Sequence, residues 1–377
     1  MAANTNCVSL LDDLKLIVEK FLVGENPIDT VVIDSMLRRP IREFKQLYPQ
    51  LNYFAYGLGR EYTLILSKEK IRLDYKCLTP KCKKTFIENA GLCIDPNIDD
   101  DQIKKLDPYL NLTEWFKLFL DALVYVGGEK EFISKHFDLQ NKIIDNLKKS
   151  PVYNLWKQIE ILPKQLPYVQ TAVNIDKPVK SNATKKINTN IYCEQNDGKY
   201  FLSIDLKAAN FQAVRSNGLI TAKSWQEYVA NFIDHPYFGK LKKLRLKILS
   251  APDLYPAKQR AYWSNVTIDI LHGLIKNKII LKNNFAVWNS DEIVFHTTLD
   301  TMELDRTKCT KFIKEEFPQF DLSIDIFQLK QVANNKPYFV KINLLNDKIE
   351  FKCVNAQFLP NAVDVWTKKQ SATNKNE

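Results

Sequence analysis

Two acidic segments carry the chemistry for which this chain is equipped. One is Phe201-Leu-Ser-Ile-Asp205-Leu-Lys-Ala-Ala-Asn-Phe211, the other Phe285-Ala-Val-Trp-Asn-Ser-Asp291-Glu292-Ile-Val-Phe-His296. In each, a run of strand-forming apolar residues delivers a carboxylate to the strand's end. Two such carboxylates that meet in space hold a pair of divalent cations, Mg²⁺ or Mn²⁺. One ion activates a hydroxyl and the other steadies a leaving pyrophosphate, which is the core of nucleotidyl transfer. Mg²⁺ suits this arrangement because it takes hard oxygen ligands and keeps waters that substrate phosphates replace. The Leu206 carbonyl is placed to add a third oxygen. Either tripeptide alone says little, since Asp and Glu at turns equally serve solubility and turn chemistry. The pair gains meaning only if its two strands are neighbours.

The elements between the two segments decide whether that happens. Strand patterning covers 199–206, preceded by 187–194 and an Asp197-Gly198 turn signal that predict a hairpin. Helices are expected at 224–234, where Ser224 and Glu227 suit a capping box, at 240–249 and at 256–278. Strands follow at 284–288 and 292–297, a helix at 300–316, a strand at 320–329, and a closing hairpin at 338–344 and 348–354. From residue 199 the order is β-α-β-β-α-β, the ferredoxin-like split βαβ arrangement, in which the first strand lies beside the central hairpin. Many unrelated functions use that order.

The first half is expected to be mainly helical. Apolar spacing predicts helices at 9–23, at 111–126 behind a Thr113 cap, and at 129–149. Alternation at 62–66 and 71–75 predicts one small hairpin. The proline-containing, polar stretch 162–186 is expected to link two domains, with a boundary near 175. The fold class is therefore α+β: a mainly α-helical domain at 1–175, a palm-like domain with flanking hairpins at 187–366, and a disordered polar tail at 367–377.

A length of 377 residues permits a large core and two domains. The net charge of +10 favours an anionic partner, nucleic acid or nucleotide, although a lysine-rich solvated surface also accounts for it. No apolar run is long enough for a membrane span and no secretory signal is visible at the N-terminus. Seven cysteines without an export signal point to reduced thiols in the cytosol or nucleus. Cys77, Cys82 and Cys93 have zinc-like spacing but lack a fourth ligand nearby, so free thiols are expected. No phosphate-binding glycine loop, dinucleotide fingerprint or nucleophile elbow is present.

Basic residues surround the acidic segments. Lys207 and Arg215 follow the first closely and are placed to meet phosphates, with Arg260 a further candidate. Lys240, Lys243 and Lys247 recur at helical spacing as a stripe suited to triphosphate or a nucleic-acid backbone, or to a solvated helix face. Trp288 is expected to pack in the core, and His296, lacking a partner, to be structural.

Ile-Asp205-Leu-Lys-Ala-Ala-Asn-Phe followed by Asn-Ser-Asp291-Glu292-Ile-Val-Phe resembles the tRNA-His guanylyltransferase group, the 3′-to-5′ polymerases. The resemblance implies a palm in which Asp205 and Asp291 bind two metals, and Ser290 and Glu292 support the nucleotide and metal shell. It places Lys330, at the end of the last core strand, towards the nucleotide. The chain departs from the family in having Leu206-Lys207 where a glycine follows the first Asp, and in a longer spacing between motifs. The stretch 224–245 is also similar to uncharacterised proteins of large DNA viruses, which implies a viral origin but no activity. The expected function is metal-dependent nucleotidyl transfer from a nucleoside triphosphate onto RNA or DNA. The alternatives are an inactive palm serving as a basic nucleic-acid-binding or assembly protein, and a nucleotide cyclase-like palm.

Overall fold

A computed structural model describes residues 30–37, 52–56, 61–67, 80–92, 94–126, 129–164, 191–333 and 338–373. The expected helix at 9–23, the strand at 71–75, the boundary at 175 and the Cys77–Cys82–Cys93 side chains lie outside the described residues. The chain divides into two compact units that interleave along the sequence. One takes 1–92, 96–143 and 226–244, the other 93–95, 144–225 and 245–377.

The first unit contains three strands, β1 (Thr30–Leu37), β2 (Asn52–Tyr56) and β3 (Glu61–Ser67), in the order β1-β3-β2. Both edges of β3, which covers the expected 62–66 strand, are occupied by antiparallel partners β1 and β2. Four helices follow: α1 (Pro80–Ala90), α2 (Asp100–Leu110), α3 (Leu112–Val126) and α4 (Glu129–Lys148). Thr113 does not cap α3. Its N–H and hydroxyl both donate to the Asp107 carboxylate at 2.7 Å, across the tight turn made by left-handed Asn111. Aromatic rings form the core here, Phe119 lying 5.4 Å from Phe86 and 5.5 Å from Phe132. His235 opens the short helix α8 (Pro236–Lys240): its Nδ1 accepts the Tyr237 N–H at 3.3 Å. Its Nε2 must then carry the proton, which it donates to Asp121 at 3.1 Å.

The second unit is built on a six-stranded antiparallel sheet of order β5-β6-β4-β7-β8-β9. Its strands are β4 (Tyr200–Leu206), β5 (Phe285–Trp288), β6 (Glu292–Thr297), β7 (Leu322–Gln331), β8 (Phe339–Asn343) and β9 (Ile349–Lys352). Along the chain between β4 and β5 come α6 (Ala209–Ser216), then α7 (Trp225–Ala230) and α8, which fall almost wholly in the first unit, and α9 (Lys242–Leu249) and α10 (Pro256–Lys276), with α5 (Tyr153–Gln158) preceding β4. Helix α11 (Met302–Glu316) joins β6 to β7. The mixed α+β class expected from the sequence is therefore observed.

Alternation along β4 sorts its side chains. Leu202 and Ile204 face Ile270, Leu271 and Leu274 of α10 and Phe312 and Ile313 of α11, making the main core. Phe201 packs on the opposite face with Val294, Phe327 and Leu329. The strand's burial on both faces explains its nearly continuous apolar sequence.

Two expectations are corrected at the edges of this unit. The expected hairpin arm before β4 is not a strand over 191–194, because both edges of β4 are taken by β6 and β7. The Asp197 carboxylate accepts the Gln331 N–H at 2.7 Å, Asn196 donates to the Ile191 carbonyl, and Gly198, at φ 76°, donates to Leu329. The expected disordered tail is helical as far as it is described, in α12 (Leu359–Thr373). Its buried Leu359, Ala362, Val363 and Trp366 fall at i, i+3, i+4 and i+7, an anchoring stripe beneath a polar surface.

The β8–β9 hairpin carries a pH-sensitive contact. Burial alone would push the Glu350 carboxyl up, but hydrogen bonds from Lys348 and Lys352, both at 2.7 Å, overcome it and hold it at about 2. A carboxyl depressed in the folded state stabilises fully above its unfolded value near 4.5 and loses that contribution as pH falls towards 2. Glu350→Gln is expected to flatten the thermal midpoint against pH within that window only; an unchanged acid limb excludes the contact as its source.

Candidate active site at the end of the central strands

The two acidic segments are on adjacent strands. Asp205 pairs across β4–β6 with Glu292, and the Leu206 N–H donates to the Asp291 carbonyl at 2.9 Å. On its other side Asp205 pairs with Ser323 of β7. Asp205 shares the face of Phe201 and Ser203, away from α10 and α11, and both it and Asp291 are half-buried. Sheet register thus brings the two carboxylate-bearing strand ends together.

The turn that presents Asp291 is anchored from below. Ser290 sits in the left-handed region at φ 56°, and the Asn289 N–H closes the turn on the Glu292 carbonyl at 2.8 Å. Fully buried Thr267 of α10 has its hydroxyl 2.7 Å from the Ser290 carbonyl. Thr267 Oγ1 also accepts the Trp288 indole N–H at 2.9 Å, which turns that ring into the core as expected. Thr267→Val removes both bonds without changing shape, at a cost of about 1–3 kcal/mol. The thermal midpoint should fall, whereas Thr267→Ser should retain it. Equal midpoints for Val and Ser would show that the hydroxyl does not hold the turn.

A second polar anchor holds the loop after β4. Gln212 of α6, 2% exposed, donates to the carbonyls of Lys207 at 2.6 Å and Asp321 at 2.7 Å, and accepts the Asp321 N–H at 2.9 Å. The Lys207 ammonium lies 3.5 Å from the Asp321 carboxylate, so this cation stands at the same sheet end as Asp205.

Glu292 is committed along the sheet. Its Oε1 accepts the Ser203 hydroxyl at 2.6 Å and lies 3.8 Å from the Lys341 ammonium. Lys341 in turn sits 4.1 Å over the Phe327 ring, 17% exposed, a half-buried cation that composition and spacing did not single out. Asp325, opposite Ser203, adds a carboxylate to the same side and accepts from Asn343 at 3.1 Å.

Other expected residues lie elsewhere. The register places Lys330 opposite Val340, seven residues along β7 from Ser323, about 23 Å away at a strand's rise. It alternates onto the face opposite Asp205, so it does not join this end of the sheet. The Arg215 guanidinium donates to the carbonyls of Lys223 at 2.9 Å and Gln319 at 3.0 Å, tying loops together. The basic stripe is broken: α8 ends at Lys240, and buried Leu241, at ψ 100°, separates it from α9. Lys243 and Lys247 remain one turn apart on α9, both exposed, above buried Leu244 and Ile248. Arg260 is exposed on α10. The His296 ring lies 4.9 Å from Phe201, tilted by 42°, and burial, then the nearby Lys199 charge, lower its pKa, in keeping with a structural imidazole.

Among the described residues no group of three His, Cys, Asp or Glu converges as a cation cage. Two carboxylates at neighbouring strand ends nevertheless match Mg²⁺ or Mn²⁺, which accept one or two protein carboxylates and complete the shell with water and phosphate. No helix among the described residues is long and apolar enough to cross a membrane. Compared with protein-family models, curated proteins and solved structures, the chain has no match.

Proposed function

We propose that the six-stranded unit is a ferredoxin-like, polymerase-type palm that transfers a nucleotide from a nucleoside triphosphate to nucleic acid. The observation that carries this reading is the register Asp205↔Glu292 with the Leu206 N–H to Asp291 carbonyl bond, which unites the two acidic segments. The strand order β5-β6-β4-β7, with β4 and β5 parallel to each other and separated by β6, supports the split βαβ topology. Asp205 and Asp291 would hold two Mg²⁺ or Mn²⁺ ions. Such ions supply an activated hydroxyl and stabilise the leaving pyrophosphate. Lys207 stands where a triphosphate would arrive, Ser290 shapes the turn that aims Asp291, and Glu292 with Lys341 stiffens the face beneath. The +10 charge favours a polyanionic partner. Incorporation of labelled nucleotide into RNA or DNA, with Mg²⁺ or Mn²⁺ against EDTA, tests the reading.

The commitment of the Glu292 carboxylate to Ser203 and Lys341 favours a second reading, a palm retained as a nucleic-acid-binding or assembly module. It predicts salt-sensitive binding through residues such as Lys243 and Lys247 that ignores Mg²⁺ and the two aspartates.

A further inference from the structure

A second feature of the palm unit has the makings of a ligand site. Between α11 and the start of β7 lies a cleft of about 410 Å³, within the size range of small-molecule pockets. It opens on the helix-covered side of the sheet, where Leu322 and Ile324 point away from the face of Asp205. Its floor includes Phe317 and Phe320, partly buried rings that pack against the main core. Its wall is one face of α11, where Arg306, Thr310 and Lys314 recur every four residues.

The wall's cations are poorly satisfied. Arg306 Nε is buried without a hydrogen-bond partner, and its Nη1 reaches Glu303 only at 3.6 Å. Lys314 is exposed and makes no ion pair among the described residues. The carboxylate at the rim, Asp321, pairs with Lys207 at 3.5 Å. Lys314 also offsets the last carbonyls of α11, as cations at helix C-termini do. That explanation does not reach Arg306, more than two turns earlier.

We propose that this cleft binds the phosphate of a nucleotide between Arg306 and Lys314, with the base against Phe317 and Phe320. A forked guanidinium and an ammonium on one wall match a phosphate, and aromatic rings match a flat base. A free nucleoside monophosphate and the 5′-phosphorylated end of a strand share this chemistry. The site is separate from Asp205 and Asp291 and needs no metal.

The test is fluorescence anisotropy of methylanthraniloyl-labelled AMP with the full chain in EDTA, which silences the carboxylate site. Saturable binding is expected, displaced by AMP, and not by adenosine or equimolar inorganic phosphate. Arg306→Gln and Lys314→Glu should each weaken it by about tenfold or more, and Asp205→Asn should leave it unchanged. Lys314 is exposed, so its variant should stay folded, its melting midpoint lowered only by the small amount that a helix C-terminal cation contributes. Displacement by a 5′-phosphorylated trinucleotide as well as AMP identifies a strand end, and displacement by AMP alone a free nucleotide. Absence of saturable binding, equal displacement by adenosine, or indifference to both variants overturns the proposal, whatever the incorporation assay gives.

Discussion

Asparagine at Asp205 or at Asp291 is expected to abolish Mg²⁺-dependent nucleotide incorporation while leaving the fold intact. Asparagine keeps the size of the side chain and removes the charge that a hard cation requires. When metals supply both nucleophile and leaving-group stabilisation, losing one of two ligands should slow the reaction on the order of 10³-fold or more. Stability should change little. Asp205 stands directly across from Glu292, and like charges opposite one another on a sheet cost about 0.2–1 kcal/mol. Without metal, Asp205→Asn relieves that repulsion, so the variant should remain folded, with a midpoint within a few degrees of the parent's. Such a divergence marks a carboxylate kept for chemistry, whereas a fall in both quantities would mark one kept for structure. Retained incorporation by both variants would sink the nucleotidyl-transfer reading.

The strand ends that matter were legible because their signal is local and strong. β4 and β6 are apolar runs bounded by turn residues, and α10 and α11 carry long helical periodicity; their expected limits differ from the observed ones by two residues or fewer. The neighbourhood of Asp205 and Asp291 followed from element order alone. Periodicity is silent on which polar side chain will reach across the fold. Thr267, Gln212 and Lys341 matter through partners more than 20 positions away, and nothing in their own segments announces it. The same limit explains the loss of the hairpin arm before β4. There, β6 and β7 fill both edges of β4, and Asp197 accepts the Gln331 N–H from 134 positions away, none of which the local pattern shows. The basic stripe failed for another reason, since Leu241 fits a helical apolar face equally well whether it continues a helix or breaks one. Lys330 shows a third limit: a sequence places a residue at a strand's end, but only register says which end meets the site.

Gly273→Ala should destabilise the six-stranded unit although helix propensity alone favours it. Alanine in a helix interior gains about 1 kcal/mol over glycine. A Cβ at Gly273 would stand 2.4 Å from Cζ of Phe312 and 3.1 Å from its Cε1, well inside van der Waals contact. Phe312 has little room to retreat, since it belongs to the core cluster with Ile270, Leu271 and Leu274 and lies 5.9 Å from the Phe317 ring. Overpacking of this kind costs about 1–3 kcal/mol and often more, so the net effect should be a midpoint lowered by several degrees. Part of the strain would be taken up by shifting α10 on α11. Because α10 also carries Thr267, that shift should loosen the Asp291 turn and reduce incorporation together with stability. Phe312→Leu opens space at the contact and should recover part of the loss in the double variant, giving a coupling well outside additivity. A midpoint raised by Gly273→Ala alone, or strictly additive effects of the two substitutions, would mean that the two helices do not meet closely at this glycine.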